Sequence, residues 1–163
     1  MARITANETG GSNVVAFLDM IAWSELGTGL LTPTTDDGYK VCVGSTPAKP
    51  ILFTDYSKHP RLRSVAQNSD AAGRYQFMGR YWDAYRRQLG LADFGPLSQD
   101  RWAIQLFREC KALDLIKAGK LPDAVTACAS RWASLPGAGY NQPEHSLSNL
   151  QLAFNRAGGR RVA

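Results

Sequence analysis

What this chain has little of narrows its chemistry first. It holds three cysteines, Cys42, Cys110 and Cys128, and no pair of them is spaced as CxxC. An odd, irregular set is a poor disulfide framework. It reads as reduced, mostly buried thiols in a protein made in a cytoplasm. The two histidines, His59 and His145, have no metal-ligand spacing around them, so no metal and no cofactor is expected. No apolar run approaches the ~20 residues of a membrane helix, and stable membrane association is not expected. Residues 1–12 are polar and glycine-rich, without the charged start, apolar core and small-residue cleavage site of a signal peptide, and are expected to form a flexible N-terminus.

The formal net charge is +5, an excess that suits a polyanionic partner: nucleic acid, an anionic membrane or an acidic wall polymer. No dense Lys/Arg cluster with interleaved aromatics is present, which argues against nucleic acid. With 163 residues, 44% hydrophobic and 20% charged, the chain suits one soluble domain over 1–163, and monomer is the default state.

What is present is organised around residues 16–27. Ser12 or Asn13 offers an N-cap oxygen, and Val14, Phe17, Leu18, Ile21 and Ala22 then fall at helical spacing on one apolar stripe. Glu25 lies four residues after Ile21 on that stripe, and Gly27 is placed to end the helix. An apolar setting and the negative end of a helix both disfavour a carboxylate anion, so the pattern predicts a raised pKa, as a general acid near neutral pH requires. An ordinary helix-end glutamate that reaches out to solvent fits the same segment.

Residues 28–38 read as a loop, and 39–43 and 51–54 as two short strands of a loosely connected hairpin. Helical patterns then run through Tyr81, Trp82, Tyr85 and Leu89 to Gly90; from a Ser98 cap through Trp102, Ile104, Leu106 and Phe107; through Leu113, Leu115 and Ile116 to Gly119; from Pro122 through Val125, Ala129 and Trp132; and from Ser146 or Ser148 through Leu150, Leu152 and Phe154 to Gly158. The architecture is therefore α+β, mainly helical, with a small antiparallel β lobe after the first helix and an inter-lobe cleft at Glu25.

Two further segments suit a sugar ligand. Gly73-Arg74-Tyr75-Gln76 and Gly137-Ala138-Gly139-Tyr140-Asn141-Gln142 each place glycine before an aromatic and one or more amides. Amides pair with hydroxyls and N-acetyl groups, and aromatic rings lie against apolar sugar faces. Glycine before tyrosine is also common at plain turns, and Tyr75 fits a core position equally well.

Several blocks, in order, resemble the lambda-type phage endolysins, peptidoglycan lytic transglycosylases of the lysozyme-like superfamily. They are Ala16-Phe17-Leu18-Asp19-Met20 with Ala22-Trp23-Ser24-Glu25; Leu52-Phe53-Thr54-Asp55-Tyr56-Ser57 with His59-Pro60; Ala72-Gly73-Arg74-Tyr75-Gln76; Trp82-Asp83-Ala84-Tyr85-Arg86; and residues 132–140. The chain departs from that pattern at 26–37, at 44–51 and in the C-terminal tail, so loop contacts there do not carry over. The resemblance implies a lysozyme-like fold. It implies Glu25 as the catalytic acid that cleaves the MurNAc-β-1,4-GlcNAc bond, with formation of 1,6-anhydro-MurNAc. Gln76 and Tyr140 would line the sugar cleft, with Tyr75, Asn141 and Gln142 in the same binding segments. Peptidoglycan glycan strands are then the partner. The enzyme would wait in the host cytoplasm until a holin, not directly bound, releases it to the periplasm. Two alternatives stand: a muramidase-type hydrolase that uses Glu25 with Asp36, Asp37 or Asp55, since such hydrolysis normally takes two carboxylates, and a non-catalytic wall-binding or phage structural module.

Overall fold

The computed structural model describes residues 1–162 as helices joined by long, bridged loops. The α-helices are α1 (Ala6–Thr9), α2 (Ser12–Leu26), α3 (Gly79–Leu89), α4 (Pro96–Glu109), α5 (Leu113–Lys117), α6 (Leu121–Cys128) and α7 (Leu147–Arg156), with 3-10 turns at Thr28–Leu30 and Pro33–Thr35. Two compact units share the chain: one takes Met1–Ser24 and the residues from Ala103 onward, the other Glu25–Trp102.

In the first unit the N-terminus is not the loose segment its composition suggests. Thr5 and Glu8 form a capping box, with the Thr5 hydroxyl accepting from Glu8 N and the Glu8 carboxylate accepting from Thr5 N, and this closes the turn of α1. The Ala2 amide donates to Asp19 Oδ1 at 2.7 Å, and Ile4 is buried. Nor does Asn13 cap α2. Its side chain accepts from Arg160 N (2.8 Å) and donates to Arg160 O (2.9 Å), tying the start of α2 to the C-terminal tail.

Helix α2 is buried on most of its circumference, since Ala16 and Met20 join Val14, Phe17, Leu18, Ile21 and Ala22 out of solvent. Such all-round burial marks a central helix rather than a surface one. Phe17 meets the Phe107 ring edge-on at 5.0 Å, and Phe107 meets Trp132 at 5.6 Å. Each fully buried side chain of this size contributes about 1.5–3 kcal/mol. Helix α7 starts where its cap was expected, with Ser146 accepting from Asn149 N, and buries Leu150 and Phe154 while Leu152 stays exposed.

The second unit holds the expected antiparallel β region, but reduced to isolated bridges: Val41 with Leu52, Cys42 with Ala72, Thr46 with Lys49, Ser64 with Ser69 and Ala72 with Phe77. Each bridge stands alone between turns, so no strand of the expected 39–43 or 51–54 length develops among the described residues. The core is aromatic. Phe77 stacks on Trp102 at 4.1 Å, Tyr85 lies 5.0 Å from Trp102, and Phe94 packs on Trp82 and Phe53. Tyr81 is exposed and does not share in this cluster. Helix α4 begins at Pro96, two residues before the expected Ser98 cap, because Asp93 Oδ1 already accepts from Gly95 N and Ser98 Oγ.

Candidate active site

Glu25 is the penultimate residue of α2 and is partly buried; Gly27 follows at φ 66°, a left-handed value that favours glycine, and the helix stops there as expected. The turn before it is firmly held within the first unit. Ser24 Oγ donates to Ile21 O and accepts from Ser134 Oγ at 3.0 Å. His145 Nε2–H donates to Ser24 O at 3.1 Å, and the His145 ring lies 4.6 Å from the Trp23 ring.

In the second unit, the turn through Asp36, Asp37 and Gly38 packs directly on the residue after Glu25. Gly38 sits at φ 89°, where any side chain is strained, and a Cβ there would stand 2.6 Å from Leu26 Cδ1. This turn brings two of the three alternative carboxylates into view, and each has a structural partner. Asp37 Oδ2 pairs with Arg74 Nη1 at 3.0 Å, and the same guanidinium donates to Asp37 O and lies over the Tyr39 ring. Asp36 Oδ2 accepts from Tyr56 OH at 2.6 Å. Asp55 accepts from the Ser57 hydroxyl and the Ser57 amide, contacts that hold its carboxyl below the usual aspartate range.

The Gly73-Arg74-Tyr75-Gln76 segment is a tight four-residue connection. Ala72 and Phe77 exchange both backbone hydrogen bonds at 2.9 Å around it. Gly73 sits at φ 82° with its Cα against the Gln99 amide, where no side chain fits. Gln99 Oε1 accepts from Arg74 N, and Gln99 Nε2 donates to Tyr39 O and Phe94 O. The expectation that Tyr75 contacts the ligand is corrected here. Its side chain is 0% exposed, and its hydroxyl donates to Asp100 Oδ1 at 2.6 Å, the same oxygen that accepts from Tyr39 OH at 2.7 Å. Burial, then the Asp100 charge, raise the Tyr75 phenol well above its ordinary value, so it stays neutral. Gln76 differs. It is partly exposed at φ 50°, a region glutamine seldom adopts, and its Nε2 donates to Gly73 O (2.8 Å) and Val41 O (3.3 Å). Among the described residues its Oε1 accepts no hydrogen bond, which leaves that oxygen for a ligand donor.

Tyr140, Asn141 and Gln142 belong to the first unit, and all three are exposed. Tyr140 is 52% exposed, with its hydroxyl anchored on Ser130 O at 2.8 Å, so the ring has a fixed edge and an open face. Glu144 holds the turn from within. Its carboxylate accepts from Gly137 N (2.9 Å) and Gly139 N (3.1 Å), which lowers its pKa. Sequence reasoning missed Arg74, Gln99, Asp100, Glu144 and His145. Only Glu144 carried a local signal, an acidic residue shortly after two glycine amides; the others are identified by partners distant in sequence.

The family model for endolysins matches residues 15–161 of this chain. The chain is 51% identical over 155 residues to the endolysin of Escherichia phage P2, covering 90% of this chain and 93% of that one. To the endolysin of Escherichia phage lambda it is 50% identical over 148 residues, covering 88% and 90%. Among solved structures, bacteriophage lambda lysozyme complexed with a chitohexasaccharide superposes with a TM-score of 0.84 at 45% identity, covering 99% of this chain and all of that one. The fold is therefore lysozyme-like.

Proposed function

From the premise that the chain belongs to the endolysin family and is a peptidoglycan-degrading enzyme, we propose that it acts as a lytic transglycosylase with Glu25 as its one catalytic carboxyl group. The observation that carries this reading is the engagement of the other candidates: Asp37 with buried Arg74, Asp36 with Tyr56 and Asp55 with Ser57. A hydrolase of the muramidase type normally needs a second carboxylate opposite the acid. In a transglycosylase the substrate supplies the second function. Glu25, protonated, gives its proton to the oxygen linking MurNAc to GlcNAc. As a carboxylate it then takes the proton of the MurNAc C6 hydroxyl, whose oxygen bonds to the anomeric carbon and closes a 1,6-anhydro ring. The proton count balances, no water enters, and the intramolecular hydroxyl has the high effective concentration that lets one carboxyl suffice.

Gln76, Tyr140, Asn141 and Gln142 bind the glycan strand in this scheme. The lambda lysozyme relative complexed with a chitohexasaccharide supports an oligosaccharide ligand. The family resemblance also supports action as a monomer, without metal or cofactor, that waits in the host cytoplasm until a holin admits it to the periplasm.

Mass spectrometry of digested peptidoglycan tests the chemistry. Muropeptides ending in anhydro-MurNAc, one water lighter than hydrolysed ones, are expected, and Glu25→Gln is expected to lose about a hundred- to ten-thousand-fold in rate while staying folded. Reducing MurNAc ends as the main product, with Asp36→Asn, Asp37→Asn or Asp55→Asn as damaging as Glu25→Gln, would replace this reading with the hydrolase.

A further inference from the structure

A group of positive charges in the first unit has no part in the chemistry at Glu25. Two segments far apart in sequence bring it together, because the C-terminal tail crosses the turn between α5 and α6. Asn13 Nδ2 donates to Lys117 O (3.4 Å) and to Arg160 O (2.9 Å), Arg160 N donates to Asn13 Oδ1 (2.8 Å), and Val162 N donates to Gly119 O (3.3 Å). Gly119 makes the crossing possible. It sits at φ 70°, and a Cβ there would stand 2.5 Å from Arg160 O and 3.2 Å from Arg161 Cα. Lys117, Lys120, Arg160 and Arg161 are thereby gathered around one crossing, and all four are exposed.

Among the described residues no carboxylate forms an ion pair with any of the four. Asp114 of α5 and Asp123 of α6 are exposed and leave them unpaired, and Glu8 of α1 is engaged by the Thr5 cap. Four cations against two aspartates leave the face positive, with its charges free for an outside partner.

We propose that this face is a second, non-catalytic attachment surface for the wall, binding the free carboxylates of the peptides that peptidoglycan carries on its MurNAc units. The proposal rests on peptidoglycan as the substrate and not on the reaction assigned to Glu25. The two guanidiniums offer planar forks that match a carboxylate, and the two ammonium groups add mobile point charges. Each contact is exposed, so each is weak and screened by salt. Peptides recur along the glycan strand, so several weak contacts on one polymer reinforce each other and keep the enzyme near its next bond. A lipid surface fits less well, since the tail presents a single large apolar side chain, Val162, and no apolar stripe to insert.

Co-sedimentation with purified sacculi tests this on the full chain carrying Glu25→Gln, which leaves the wall intact. Adding Lys117→Gln, Lys120→Gln, Arg160→Gln and Arg161→Gln together is expected to weaken binding about tenfold at low salt. Arg160→Lys with Arg161→Lys, which keeps the charge, is expected to stay within about threefold of the parent. Arg80→Gln, Arg87→Gln, Arg101→Gln and Arg108→Gln together remove the same net charge from exposed positions on α3 and α4, and are expected to cost less than about threefold. The parent chain itself is expected to bind peptide-bearing strands about tenfold more tightly than strands stripped of peptide by an amidase, with the difference lost by about 0.5 M salt. Equal losses from the two quadruple variants would reduce the effect to net charge and overturn the proposal. Equal binding of stripped and peptide-bearing strands would overturn it without any reliance on a variant folding. A loss on phosphatidylglycerol vesicles with none on sacculi would overturn it in favour of a lipid surface. Soluble muropeptides released in the same tubes report on Glu25 separately, so failure of the catalytic assignment and failure of the attachment surface are told apart.

Discussion

Residues 73–76 and 137–142 look alike in sequence, each with glycine, then a tyrosine, then amide side chains, yet the structure uses them differently. Tyr75 is closed into the core of its unit with its hydroxyl on buried Asp100. Tyr140 lies half in solvent with its hydroxyl on a backbone carbonyl. Glycine supplies the same backbone freedom in both, so it does not decide the outcome. What stands opposite the ring does. In the first segment an α4 carboxylate and an α4 amide, Asp100 and Gln99, receive the turn; in the second an exposed carboxylate, Glu144, binds only its backbone. One segment is scaffold that presents a single neighbouring amide, Gln76. The other presents its aromatic ring and amides directly.

The comparison breaks most severely at Asp100. Asp100→Ala removes the carboxylate that accepts from two buried phenol hydroxyls, those of Tyr39 and Tyr75. A hydrogen bond to a charged group contributes about 1.5–3 kcal/mol, so a loss of roughly 3–5 kcal/mol is expected in a urea unfolding curve. A midpoint close to wild type would mean that the phenols are not anchored there and that Tyr75 is free to serve the site.

Removing one hydroxyl at a time sharpens the contrast. Tyr75→Phe forfeits a hydrogen bond to a buried carboxylate and is expected to destabilise by about 1.5–3 kcal/mol, whereas Tyr140→Phe forfeits one exposed bond to a carbonyl and is expected to lie within about 1 kcal/mol of wild type. Equal effects in the same unfolding assay would erase the distinction between the two segments.

Kinetics on purified glycan strands give a smaller effect in the opposite order. Tyr140→Ala is expected to raise KM about three- to tenfold with little change in kcat, since loss of a stacking face worth about 0.5–1.5 kcal/mol removes binding shared by ground and transition states. A fall in kcat with KM unchanged would place Tyr140 in the chemical step instead.

This contrast also shows what was legible from residues alone. The period of α2, its stop at Gly27 and the Ser146 cap of α7 are local features, set by neighbours within a turn or two, and they are where the pattern puts them. The Thr5–Glu8 box was equally local but was masked by the polar composition around it. The bridged region reads as strands because its residues favour extended backbone, while the pairing that would lengthen them is cut by turns that propensity does not weigh. Helix periodicity puts Glu25 on the stripe of α2, and the structure places it near the end of that helix, partly buried. Tyr75 was misplaced because its environment is made by Asp100, 25 residues away, and no local rule reports a partner at that distance.

The two segments should finally fail at opposite ends of the pH scale. Glu144 has its folded pKa lowered below 4.5 by the Gly137 and Gly139 amides, so its contribution is complete above 4.5 and is lost as pH falls through the lowered value. Acid is therefore expected to loosen residues 137–142, read as faster amide exchange at Gly137 and Gly139 relative to Glu144→Gln, which lacks the contact charge at every pH. Tyr75 has its folded pKa raised above 10, so its contribution is complete below 10 and is lost as pH rises, because the unfolded phenol ionises while the folded one does not. Alkali is therefore expected to lower wild-type stability more steeply than that of Tyr75→Phe, whose side chain has no proton to lose. Parallel alkaline slopes for the two proteins would show that the Tyr75 hydroxyl reaches water in the folded state, and the scaffold role assigned to 73–76 would go with it.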